Sequence, residues 1–100
     1  MAFVKVASRA ELPAGSAKIV EAGGKQIALF NAGGAFYAID NTCKHRGGSL
    51  AEGDLDGTSV TCPLHGWEYD VTTGANLDDP KVKLGCYPVK IDGDDILIDA

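Results

Sequence analysis

The chain has 100 residues, 45% of them hydrophobic, and a formal net charge of −5. That length is expected to form a single domain over residues 1–100, with enough apolar surface to fold alone. The acidic balance disfavours nucleic acid and anionic membranes, which call for basic patches, and no apolar run approaches the roughly 18 residues of a membrane helix. The opening Met1-Ala2-Phe3-Val4-Lys5 lacks the basic-then-apolar order of a signal peptide, so a cytoplasmic location is expected. The chain starts at a Met and closes on a hairpin, which reads as a whole small protein.

Taken in order, Phe3–Ala7 alternates as a strand, with Phe3, Lys5 and Ala7 on one side and Val4 and Val6 on the other. Ser8-Arg9-Ala10-Glu11 has the form of a capping box, and Pro13 limits it to a single helical turn. Lys18–Ala22, Lys25–Asn31 and Ala35–Asp40 are short strand candidates joined by Gly23-Gly24 and Gly33-Gly34. Short apolar runs linked by two-glycine turns predict an antiparallel meander. Residues 41–57 hold several glycines and little alternation, so they read mainly as loop, with a helical turn around Leu50. Ser59–Thr61 and Trp67–Val71 are brief strands, and 74–86 reads as a long loop. A last hairpin pairs Tyr87–Ile91 with Asp95–Asp99; Tyr87, Val89 and Ile91 face one way, and Ile96 and Ile98 can face them. Asp54/Asp56, Asp78/Asp79 and Asp92/Asp94/Asp95 read chiefly as solvated surface.

This pattern predicts an all-β protein, a small antiparallel β sandwich or barrel of about eight to ten short strands. A loop-rich insertion of about residues 41–72 interrupts it and carries two half-sites, Cys43-Lys44-His45 and Cys62-Pro63-Leu64-His65. Between His45 and Cys62 lie 16 residues. A finger-type zinc site takes both thiolates from one knuckle and both imidazoles from another. The order here is Cys, His, Cys, His, which suits a two-iron cluster with two Cys on one iron and two His on the other. The chain has three Cys, so no disulfide framework remains, in keeping with a reducing compartment. Cys86, without a partner in this reading, is expected to be a small buried apolar residue.

Cys43-Lys44-His45-Arg46-Gly47-Gly48-Ser49-Leu50 and Cys62-Pro63-Leu64-His65-Gly66-Trp67-Glu68-Tyr69-Asp70 resemble the two cluster-binding loops of Rieske [2Fe–2S] proteins. Stand-alone Rieske ferredoxins of bacterial aromatic-ring oxygenase systems are the most similar in length and layout. By that resemblance Cys43 and Cys62 bind the buried iron, and His45 and His65 bind the outer one. Tyr69 lies where the family often has a hydroxyl donating to a ligand sulfur. Gly47, Gly48 and Gly66 either let backbone amides approach the sulfides, with positive φ where required, or are ordinary turn glycines. Trp67 is expected to pack in the core, though covering the cluster is also open to it. Pro80 belongs either to a third loop shielding the cluster or to a plain turn, and Arg46 joins Lys44 in a small positive patch beside the site.

The resemblance implies a one-electron carrier, not an enzyme, with one Rieske-type [2Fe–2S] cluster. It would act as a monomer between a flavoprotein ferredoxin reductase and a terminal oxygenase of aromatic hydrocarbon catabolism. Two other readings stay open: the Rieske-like small subunit of a larger reductase such as nitrite reductase, and a zinc-binding structural module. The catalytic oxygenase subunits share these motifs but need a mononuclear iron held by two more His, and this chain has only two His. High-potential respiratory Rieske proteins carry an extra cysteine in each loop, joined as a disulfide, and a serine that donates to a sulfide. This chain has Gly48, Leu64 and Trp67 there. With fewer donors to sulfur, the potential is expected at the low end of the family's range of roughly −150 to +300 mV. Potentiometric titration checks this, and a midpoint well above zero would contradict it.

Overall fold

A computed structural model describes residues 3–42, 48–63, 66–79 and 81–100. Strand β1 (Phe3–Ser8) runs into one 3-10 turn at Arg9–Glu11, where the Ser8 N–H and O–H both donate to Glu11 Oε1 at 3.1 and 3.0 Å. The Ser8/Glu11 pair thus forms the expected capping box, with the Glu11 carboxylate reaching back to the Ser8 N–H. Strands β2 (Ala17–Ala22), β3 (Lys25–Ala32) and β4 (Ala35–Asp40) form the antiparallel meander. Gly23, Gly24, Gly33 and Gly34 all take positive φ at its two turns, the backbone hand that tight hairpins favour.

Strand β5 (Asp54–Asp56) follows a 3-10 turn at Leu50–Glu52 and pairs with β6 (Ser59–Thr61), which pairs in turn with β7 (Glu68–Asp70). The chain returns through β8 (Cys86–Tyr87) and closes with β9 (Val89–Asp92) and β10 (Asp95–Asp99). Three antiparallel sheets result, in the orders β1-β10-β9, β2-β3-β4-β8 and β5-β6-β7.

The second sheet is the middle layer, and β3 shows why. Ala28 and Phe30 point into one core with Ile39, Leu50, Val60, Cys62, Tyr69, Val71 and Leu84. Ile27 and Leu29 point into another with Ala7, Leu12, Val20, Ala38, Ile96 and Ile98. A strand covered on both faces reads as a continuous apolar run, as Ile27–Phe30 does. The first core thus joins the middle sheet to β6 and β7, and the second joins it to β1 and β10. Among the described residues, no helix is long and apolar enough to cross a membrane.

Four features depart from the sequence reading. Strand β5 forms within a stretch expected to be loop; one apolar residue, Leu55, lies between two aspartates, too little for a period to show. The strand expected over Tyr87–Ile91 is split at Pro88, which has no N–H to give a ladder. Tyr87 pairs with Ala38 of the middle sheet, whereas Val89 and Ile91 pair with Ile98 and Ile96. Cys86 is exposed, not buried, because β8 is an edge strand of the middle sheet. Its thiol donates to the Thr72 carbonyl at 3.5 Å, and partial desolvation raises its pKa. In β1, Phe3 and Val4 are both exposed although they face opposite ways, and the register shifts between Lys5 and Ala7.

Gly53 enters β5 against the end of β6. A Cβ at this position would clash with the Thr61 backbone carbonyl, which is not free to move without disturbing the sheet. Gly53→Ala is therefore expected to destabilise the fold by about 1–3 kcal/mol. Thermal or denaturant unfolding measures this, and an unchanged midpoint would contradict the close approach.

Candidate metal centre

The second half-site sits at the tip of the β6–β7 hairpin. Ser59, Val60 and Thr61 pair with Asp70, Tyr69 and Glu68, and the ladder continues as the Cys62 N–H donates to the Trp67 carbonyl at 2.7 Å. Cys62 and Trp67 thus close the base of a short loop. Gly66 turns it with φ of 73°, the positive value expected there. Alternation along β7 sends Tyr69 inward and leaves Glu68 exposed. Tyr69 is fully buried, Cys62 is 1% exposed, and Trp67 is half-buried against the same apolar cluster. Trp67 therefore packs at the edge of that cluster.

The first half-site leaves the end of β4. Its loop is closed by the antiparallel bridge between Thr42 and Ser49, and Leu50 N–H donates to the Asn41 carbonyl at 2.8 Å. Gly48 is buried, and Leu50, fully buried, plugs the far end of the loop into the core that holds Cys62 and Tyr69. Both loops are therefore launched from one apolar cluster. Cys43, Lys44, His45, Arg46 and Gly47 of the first loop, Leu64 and His65 of the second, and Pro80 lie outside the described residues.

A third segment, read from the sequence as a long loop, is built into the same region. Asp70 N–H donates to the Ala75 carbonyl at 2.9 Å, and Leu77 N–H to the Glu68 carbonyl at 3.0 Å. Residues 75–77 thereby line the free edge of β7. Asn76, buried, accepts the N–H groups of Asp78 and Asp79 at 2.8 and 3.0 Å and folds the turn that follows. The segment's far end is fastened to β4: the Asp40 carboxylate accepts the Gly85 N–H at 2.8 Å and the Tyr87 hydroxyl. Asp40, Asn41, Gly53 and Gly85 were not singled out from the sequence. Polar residues at the end of a strand directly before Cys43 were the available signal for the first two.

The described half of the site suits an iron–sulfur group. A cysteine sulfur shielded from water at a hairpin base, with a tyrosine and a tryptophan beside it, favours thiolate ligation within a low-dielectric wall. A small antiparallel protein with Cys–His loops at one end defines a Rieske-type domain. The family model for the Rieske [2Fe-2S] domain matches residues 2–88, and the chain belongs to that family. It therefore carries one Rieske-type [2Fe–2S] cluster. The ferredoxin component of the naphthalene 1,2-dioxygenase system of Pseudomonas aeruginosa is 40% identical over 90 residues, covering 89% of this chain and 86% of that protein. The ferredoxin of carbazole 1,9a-dioxygenase from Nocardioides aromaticivorans IC177 superposes with a TM-score of 0.90 at 30% identity, over 98% of this chain and 97% of that one. A further match, in a complex of reduced oxygenase and oxidised ferredoxin of carbazole 1,9a-dioxygenase, has a TM-score of 0.87 at 33% identity, over 96% and 91% of the two chains.

The Asp40–Tyr87 contact has a pH signature. Desolvation, then the hydrogen bond to Asp40, pushes the Tyr87 hydroxyl up to about 12. A raised tyrosine pKa stabilises the fold fully below the unfolded value of roughly 10, and that contribution is lost as pH rises through the folded value. Tyr87→Phe is expected to cost about 1 kcal/mol at neutral pH, discounted for its partial exposure. The deficit should shrink toward strongly alkaline pH, and a deficit constant with pH in denaturant unfolding would contradict the assignment.

Proposed function

We propose that this protein is a one-electron carrier that accepts electrons from a flavin-dependent NAD(P)H reductase and delivers them to the terminal oxygenase of an aromatic-ring-hydroxylating system. It works in the cytoplasm as a monomer, the whole of residues 1–100 forms one domain, and it performs no substrate chemistry of its own. Cys43 and Cys62 would hold one iron of the cluster, and His45 and His65 the other. The carrying observation is the repeated Cys–His pair on two loops that start from one apolar cluster. Relatives with dioxygenase-ferredoxin names that match nearly the whole chain support the choice of partners.

The ligand chemistry explains the role. A pair of ferric ions and a pair of sulfides carry a double positive charge, which two thiolates neutralise and four would overcompensate. Histidine ligation therefore eases reduction relative to an all-cysteine cluster, and the cluster supplies reversible one-electron storage when bound. The chain's own residues adjust that storage. Burial of Cys62 and Tyr69 keeps water from the inner side, and a Tyr69 hydroxyl donating to a ligand sulfur, as the resemblance implies, would stabilise the more negative reduced form. Gly48 and Gly66, with Gly47, allow close backbone approach, and Trp67 walls one flank. The segment that leads to Pro80 would shield the other. Lys44 and Arg46 form a basic spot on an acidic surface and orient encounter with the partners.

Loss of one neutral hydrogen bond is worth about 1 kcal/mol, or about 40 mV for one electron. Tyr69→Phe is therefore expected to lower the midpoint by about that amount with the cluster retained. In stopped-flow mixing, the reduced wild-type protein should pass one electron per molecule to an oxidised terminal oxygenase of the naphthalene-dioxygenase type. A reduced protein that surrenders its electron to ferricyanide but not to such oxygenases would contradict the carrier role.

A further inference from the structure

The mouth of the first loop is spanned by one buried side chain that belongs to neither half-site motif. Asn41 is 3% exposed. Its Nδ2 donates to Ser49 Oγ at 3.0 Å, and its Oδ1 accepts from the Ser49 hydroxyl at 3.2 Å and from the Ala51 N–H at 3.0 Å. On the backbone, its carbonyl accepts the Leu50 N–H at 2.8 Å, and its own N–H donates to the Gln26 carbonyl at 3.2 Å. Asn41 therefore ties β3 and β4 on one side to Ser49, Leu50 and Ala51 on the other. All three partners in that second group lie beyond the loop that begins at Thr42.

We propose that Asn41 is a positioning residue: its amide latches the two ends of the loop that presents Cys43 and His45, and so fixes the geometry of those ligands and their hold on the cluster. The latch rests on the assignment of Cys43 and His45 as ligands made above. Two facts carry it. Among the described residues, backbone pairing across the mouth is the Thr42–Ser49 bridge with its Leu50 N–H to Asn41 carbonyl bond, and the Asn41 side chain adds its bonds to Ser49 and Ala51 there. The side chain also suits this position chemically, because an amide offers Ser49 a donor and an acceptor from separate atoms while its oxygen still accepts from the Ala51 N–H. Alanine would keep none of these bonds.

Asn31 provides a matched comparison. It is also buried, donates from Nδ2 to the Leu12 carbonyl at 2.8 Å and accepts the Gly34 N–H at 2.8 Å. Its partners sit at the opposite end of β3 from Asn41's partner Gln26, and Leu12 belongs to the core that excludes Cys62.

The experiment compares intact, cluster-loaded wild type with Asn41→Ala, Ser49→Ala and Asn31→Ala. It follows the loss of visible absorption under an iron chelator, the midpoint potential and the EPR g values of the reduced state. Asn41→Ala is expected to lose the cluster about ten-fold faster and to shift both g values and midpoint. Ser49→Ala should move all three the same way by less, and it decides the matter if Asn41→Ala does not fold. Asn31→Ala should lower thermal stability with the three readouts at wild-type values. Wild-type readouts in Asn41→Ala, or equal changes in Asn31→Ala, would overturn the latch alone. A wild type without a histidine-ligated signature would overturn the ligand assignment and the latch with it.

Discussion

Two loops can share one metal cluster only if the strands that launch them keep a fixed separation, and in this protein a single apolar cluster sets that separation. Phe30 and Ile39 of the middle sheet, Leu50 at the end of the first loop, Val60 and Tyr69 of the β6–β7 hairpin, and Cys62 itself are all buried in it. Close-packed interiors transmit displacement without absorbing it. A shift of β6 against β4 would therefore disturb this core and separate the two half-sites together. The two loops extend from this packed unit, and each has at its base a backbone hydrogen bond between half-buried or buried residues, Leu50 to Asn41 in the first and Cys62 to Trp67 in the second.

The remainder of the chain supports that unit from behind. The sheet β1-β10-β9 covers the opposite face of the middle sheet and gives β3 a second apolar partner. Burial on both faces makes the middle sheet rigid enough to act as a platform, which a two-layer hairpin of this size would not be. The 75–85 segment adds a third brace. It pairs with the free edge of β7 and is then fastened to the end of β4 by Asp40. Two consecutive residues, Asp40 and Asn41, thus anchor the segments on either side of the site.

Much of this was legible in the sequence, for identifiable reasons. The meander was readable because Gly23-Gly24 and Gly33-Gly34 mark its turns without ambiguity, and the closing strands because Ile96 and Ile98 alternate. The half-sites were readable because Cys and His are rare in this chain and fall at a recognisable spacing. What escaped depends on contacts distant in sequence. The pairing of Asp54–Asp56 owes nothing to its own composition and everything to β6 beside it. Cys86 is exposed because its strand lies at a sheet edge, a property of topology that no local pattern reveals. The role of Asn41 is set by where Ser49 and Ala51 arrive, eight and ten residues later.

The central claim is that one iron is held by two imidazoles and the other by two thiolates. Because the chain has only two His, selective labelling with ¹⁵N-histidine addresses both positions and nothing else. Pulsed EPR or ENDOR of the dithionite-reduced protein should then show two strongly coupled ¹⁵N nuclei on the ferrous iron. A reduced cluster with no strongly coupled histidine nitrogen would contradict that ligation.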